Sequence, residues 1–150
     1  MDDRWKPNVT VAAVIEREGR FLMVEEETQN GLRLNQPAGH LDHGESLLAA
    51  VVREAREETA HVFVPQFLVG IYQWRLMPQD VTYLRFTFAG TAAEVIAGQV
   101  LDTGIVRALW MTEAELRESA PRHRSPLVLR SLDDWLAGKR FPLDVLWHAA

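Results

Sequence analysis

The sequence predicts an α/β fold in which a mixed β-sheet is packed between helices. Three observations predict it. Strand-like apolar runs follow one another, at Val9–Ile15 and Phe21–Val24 and again at Phe67–Leu76 and Val81–Ala89. Leu48, Val51, Val52 and Ala55 recur at i, i+3, i+4 and i+7, which is one stripe of a helix. A second apolar series, Leu127, Leu129, Leu132, Trp135 and Leu136, ends the chain in another helix. No repeat, low-complexity tract or linker interrupts them, so the 150 residues read as one domain, 1–150.

Each element has a local reason. Val9–Ile15 is β-branched and alanine-rich without alternation, the pattern of a strand covered on both faces. Gly19 punctuates a turn, and Phe21–Val24 returns as the hairpin partner. Glu25–Asn30 is polar and leads to Gly31, so it reads as a loop. Leu34–Gly39 is short, and Pro37 keeps it out of a central ladder. The main helix runs from about Ser46 to Thr59, with Gly44 or Ser46 as cap. Met77-Pro78-Gln79-Asp80 turns the two middle strands into an antiparallel pair, and Val106–Met111 adds a short strand. Thr112-Glu113-Ala114-Glu115 is a capping sequence for a short helix. Ser125-Pro126 opens the last helix, and Gly138 stands near its end.

Composition narrows the chemistry. There is no cysteine, which removes disulfides, thiolate catalysis and thiolate zinc sites, and fits a reducing compartment. No run approaches the length of a membrane span, and the first seven residues lack an apolar signal core. These features read as a cytoplasmic protein. The net charge of −5 argues against a nucleic-acid partner and leaves phosphate binding to local arginines or a metal ion. Monomer and homodimer are both open.

The helix carries the candidate chemistry. Glu54, Glu57 and Glu58 stand at i, i+3 and i+4, neighbours on a face other than the apolar stripe. Like charges there repel, and a divalent cation reverses that repulsion. Carboxylate oxygens are the ligands Mg²⁺ and Mn²⁺ prefer. A glutamate cluster alone is more often a solvated face. The flanks shift that balance. Five residues separate Gly39 from Glu45, seven separate Glu45 from Arg53-Glu54, and Glu57-Glu58 follows two residues later.

This spacing resembles the Nudix box, and on that resemblance the chain is a Nudix-type hydrolase with an α/β/α sandwich. Similarity to the NudJ phosphatase subgroup extends over nearly the whole chain, through Asn35-Gln36-Pro37-Ala38-Gly39, Gln73-Trp74, Leu84-Arg85-Phe86 and Arg124-Ser125-Pro126. The resemblance implies a Mg²⁺ cofactor, with Mn²⁺ as substitute, held by Glu54, Glu57, Glu58 and the Gly39 carbonyl. Glu54 or Glu57 would activate water, Arg53 would orient the carboxylates, and Glu45 would brace the helix start. It also implies a small phosphoanhydride partner: a nucleoside di- or triphosphate, hydroxymethylpyrimidine pyrophosphate or thiamine pyrophosphate. A ligand-sensing module on the same fold and a pyrophosphohydrolase of another nucleotide derivative are the alternatives.

The box departs from the family at its end, where Ala60 and His61 replace a glycine and an aliphatic residue. Ala60 then carries the cost of a left-handed backbone or shifts the helix end. Outside the box, Gln36, Trp74 and Arg85 are candidate substrate-binding residues: an amide for a base edge, an aromatic face for stacking and a phosphate clamp. Asn35 is a lesser candidate of the same kind. Asp102 and Glu94 are candidate bases outside the box, although a solvated acid is the plainer reading of each. His40 and His43 lack the third ligand of a zinc site. His123, with Arg117, Arg122, Arg124 and Arg130, forms a local basic stretch.

Overall fold

A computed structural model describes residues 3–149. Its strands are β1 (Asn8–Arg17), β2 (Arg20–Thr28), β3 (Gly31–Asn35), β4 (Ala38–His40), β5 (His61–Leu76), β6 (Val81–Val95), β7 (Ile105–Thr112) and β8 (Phe141–Pro142). The α-helices are α1 (Leu47–Thr59), α2 (Glu113–Glu118) and α3 (Leu127–Leu136). The sheet runs β3-β2-β1-β6-β5-β8, with β4 pairing β1 and β7 pairing β2. It is mixed: β1 runs parallel to β6 over Asn8–Ile15, and the other pairs are antiparallel.

Helices cover both faces. Val11, Ala13 and Ile15 pack with Ala50, Val51 and Ala55 of α1, with Phe63 and Phe88 completing that core. Val14 points the other way, into a second core with Phe21, Met23, Val128 and Leu132. This two-sided burial explains why β1 is an unbroken apolar run. Ser46 is the α1 cap: its hydroxyl accepts from the Ala49 N–H at 3.0 Å. Thr112 and Glu115 form the reciprocal capping box of α2. Among the described residues, no helix is long and apolar enough to cross a membrane.

Two expectations change. Glu25–Asn30 is not a loop: β2 continues to Thr28 and pairs β3 in register from Val24↔Asn35 to Thr28↔Gly31. Its carboxylates are tolerated because they meet arginines, Glu25 pairing with Arg107 and Arg122 and Glu26 with Arg124. The middle strand starts at His61, six residues before Phe67, and Pro65 is accommodated where the β5–β6 register shifts.

Ala60 does occupy the left-handed region, at φ 58° and ψ 20°, and its N–H closes α1 on the Arg56 carbonyl. That conformation costs an L-residue about 1 kcal/mol or more. Ala60→Gly is therefore expected to stabilise the fold by roughly 0.5–1 kcal/mol, net of glycine's extra unfolded-state entropy. Urea unfolding checks this; a lower midpoint would mean that packing of the buried methyl outweighs the strain.

Candidate active site

The site forms where α1 faces the short strand β4. The turn before the helix is closed by Glu45, whose Oε1 accepts from the Asp42 N–H at 2.9 Å. Arg53 then grips both Glu45 oxygens, with Nε to Oε2 at 2.9 Å and Nη2 to Oε1 at 2.7 Å. The same guanidinium donates from Nη1 to Glu54 Oε1 at 2.8 Å and Glu57 Oε2 at 3.1 Å, and from Nη2 to the His40 carbonyl at 3.0 Å. One planar fork thus fixes the loop, two carboxylates and β4 together.

Gly39 of β4 lies directly against Glu54: a Cβ there would fall 2.1 Å from the carboxyl carbon. Only glycine allows this approach. Next to it, the Ala38 N–H donates to Glu58 Oε1 at 2.9 Å. Glu54 and Glu58 are buried at 8% exposure each and continue the line of Ala50 along α1, with Glu57 at the rim. The carboxylates are thus not wholly apart from the core-facing side of the helix.

A further acid arrives from far along the chain. Asp102 sits in the loop between β6 and β7, and its main-chain N–H donates to the Glu57 carbonyl at 2.9 Å. The loop is staked at its start by Ile96 N–H to the Ala60 carbonyl, 2.7 Å, and at its end by Glu27 N–H to the Gly104 carbonyl, 2.8 Å. Carboxylate oxygens of Glu54, Glu57 and Asp102 consequently lie within 4.8 Å of one another. Three hard oxygens at this spacing are the donor set that Mg²⁺ and Mn²⁺ take, so the residues fit such an ion.

Glu54, with Glu58 and Gly39, borders a cleft of about 900 Å³. Thr10 of β1 and Arg85 of β6, opposite one another in register, contribute to its floor. Trp74 and Tyr83, also register partners, stack at 5.8 Å with their planes 20° apart and border the cleft as well.

A profile of the NUDIX domain matches residues 5–130. The chain belongs to the Nudix family. It is 41% identical over 143 residues to the phosphatase NudJ of Escherichia coli strain K12, covering 95% of this chain and 92% of that protein. A Nudix hydrolase structure from Nitrosomonas europaea is 50% identical, with a TM-score of 0.94 over 96% of this chain and 98% of that one. A MutT Nudix hydrolase from Burkholderia pseudomallei shares the fold at 19% identity, with a TM-score of 0.74 over 87% and 98% of the two chains. This protein is accordingly a Nudix hydrolase similar to NudJ, and the α/β/α arrangement is that of the family.

The electrostatics of this Nudix site follow from burial. Burial pushes the Glu54 carboxyl up to about 7, against the opposing pull of Arg53, and Glu57 and Asp102 push the same way. Burial pushes Glu58 to about 9, opposed by the Ala38 N–H and reinforced by Glu54, Glu26 and Asp102. Both folded values exceed the ordinary 4.5, so between these pH values the folded protein binds more protons than the unfolded chain. Stability from this source is present in acid and lost as pH rises. In chelator, melting temperature is expected to fall between about pH 5 and about pH 8, and more shallowly in Glu58→Gln. Saturating Mg²⁺ should offset the fall. An unchanged slope in Glu58→Gln would remove Glu58 as the cause.

The other candidates divide. Trp74 and Arg85 reach the cleft. Gln36 is 3% exposed with both amide ends engaged, Nε2 to the Val128 carbonyl at 2.9 Å and Oε1 from Arg85 Nη2 at 3.1 Å. It therefore acts on Arg85 and does not present a free amide to a base edge. Asn35 also accepts from Arg85 Nη2, at 3.2 Å. Glu94 is exposed on β6, outside the carboxylate group that Asp102 joins. Among the described residues no histidine joins such a group. The basic stretch is internally compensated: Arg117 meets Glu113 and Asp133, Arg122 meets Glu25, Arg124 meets Glu26 and Arg130 meets Asp134. Thr10 and Tyr83 escaped the sequence reading. The only signal for Tyr83 is its place opposite Trp74 across the Met77–Asp80 turn.

Proposed function

We propose that this Nudix hydrolase is Mg²⁺-dependent, with Mn²⁺ as substitute. It would cleave a phosphoanhydride bond of nucleoside di- or triphosphates or of small pyrophosphates such as hydroxymethylpyrimidine pyrophosphate and thiamine pyrophosphate. The observation that carries this reading is the convergence of Glu54, Glu57 and Asp102, with Glu54 lining a cleft and Arg53 holding the two glutamates. When bound, the ion neutralises phosphoryl charge and lowers the pKa of water. Glu54, Glu57 and Asp102 would hold it, with Glu58 and the Gly39 carbonyl as further ligands. One of Glu54, Glu57 and Asp102 takes the proton of the attacking water. Arg53 keeps the glutamates in place through that transfer, and Trp74 offers a ring face to the organic part of the substrate.

The relative named as a phosphatase supports release of orthophosphate from a terminal anhydride. The deciding experiment is a panel of nucleotides, nucleotide sugars, thiamine pyrophosphate and its pyrimidine precursor, with orthophosphate and pyrophosphate read separately. Orthophosphate released with Mg²⁺ and abolished by chelator is expected. Turnover undiminished in chelator would sink the metal assignment, and pyrophosphate as sole inorganic product would replace terminal by internal cleavage.

A further inference from the structure

Arg85 is a cation without an anion. It is 4% exposed, in the middle of β6, yet among the described residues no carboxylate comes within the 4.0 Å of an ion pair. The titratable groups that act on it are committed elsewhere: Tyr72 to Asp134, and Glu58 to the Ala38 N–H. Arg85 has two neutral acceptors, Asn35 Oδ1 and Gln36 Oε1, and both take Nη2. Every fully buried side-chain nitrogen and oxygen among the described residues has a partner. The guanidinium nitrogens left unbonded are therefore the part of Arg85 that opens on the cleft it borders.

Such an arrangement is unfavourable as architecture. A guanidinium removed from water and left without a counter-charge costs stability. Burial here pushes its pKa down to about 10. The fold nonetheless holds the group firmly, since Gln36 is itself buried and pinned to the Val128 carbonyl of α3. A fixed, desolvated, bidentate-capable cation facing a cavity is a preformed anion receptor. Its place in the sheet sets what the anion belongs to. Thr10 faces Arg85 in one register and His40 in the other, so Arg85 lies two strand spacings from β4, roughly 10 Å. A ligand whose reacting phosphoryl group lies at the carboxylates can reach that cation with a second one.

We infer that Arg85 is the specificity residue of the cleft, holding the phosphoryl group that is not attacked and so requiring a second anionic group on the substrate. This deepens the hydrolase reading and rests on it. Monophosphate esters, with nothing to offer Arg85, are poor ligands.

The test is equilibrium binding by calorimetry in Mg²⁺, with two probes: ADP carrying a methylene bridge in place of its anhydride oxygen, and AMP. The wild-type protein is expected to prefer the first. In Arg85→Met that preference should shrink roughly tenfold or more, with AMP affinity little changed. Asn35→Asp keeps the arginine and places a carboxylate on it; the preference should collapse there too while the protein melts higher. An unaltered preference in a folded Arg85→Met protein, or in Asn35→Asp if the methionine variant does not fold, overturns the assignment. Because the readout is a ratio of affinities, an absence of turnover in the wild-type protein would count against hydrolysis and leave Arg85 to be judged separately.

Discussion

Glu57→Gln is expected to fold as well as the parent and to lose Mg²⁺-dependent turnover by roughly a hundred- to ten-thousand-fold, the span of a lost base or ligand. Folding should survive because Glu57 is at the rim, its side chain 29% exposed, and glutamine still accepts the bond from Arg53 Nη1. The change also removes one of the like charges that push Glu54 upward. Without metal the variant should therefore melt no lower than the parent. With metal the difference appears: a ligand that binds only the folded state stabilises by RT ln(1 + [L]/Kd), and that increment should shrink. Measuring both melting curves alongside initial rates separates a lost ligand from a damaged fold. Full activity in Glu57→Gln would move the ion, and the water it activates, away from this residue.

Arg53→Lys should have the second-largest effect although it keeps the charge. The guanidinium makes five hydrogen bonds in one plane, to Glu45 twice, Glu54, Glu57 and the His40 carbonyl. An ammonium has three donors and no plane, so it cannot hold the loop, both glutamates and β4 at once. Removal of an outer partner of metal ligands costs on the order of ten- to a hundredfold in metal affinity or activity. The Mg²⁺ concentration for half-maximal rate should rise with the loss of kcat, while the fold remains intact. Arg53→Met should lose in addition about 1–3 kcal/mol of stability, moderated by the 20% exposure of the side chain. If the lysine variant kept both kcat and its metal requirement, Arg53 would be a surface ion pair and no more.

How much of this could be read from residues alone depends on the range of the interactions. The helix was legible because its stripe, its Ser46 cap and its glutamates lie within thirteen residues and obey one period. The resemblance implied Arg53 as the orienter of the carboxylates, and Arg53 lies within hydrogen-bond reach of Glu54 and Glu57 because both are its near neighbours on the helix. Ala60 was legible as a strained helix end because glycine's conformational freedom is a local matter. The strand character of Glu25–Thr28 was not, because charge there is neutralised by arginines some 80 to 100 positions away, Arg107 and Arg122 on Glu25 and Arg124 on Glu26. The parallel pairing of β1 with β6 leaves no mark in either strand. Gln36 looked like a free amide because nothing near it in sequence announces Val128 or Arg85. Asp102 was weighed as a solvated acid for the same reason, since only the loop's path brings it beside Glu57.

That path works as a ruler. The acid is set by main-chain bonds at Ile96, Asp102 and Gly104, not by the side chains between them. Ala97, Gln99 and Val100 can therefore be exchanged with little consequence for the carboxylate, whereas a single inserted or deleted residue changes the arc length and carries Asp102 off its mark. The segment's informative property is its count of residues, and a catalytic acid here would tolerate drift in composition while resisting any drift in length.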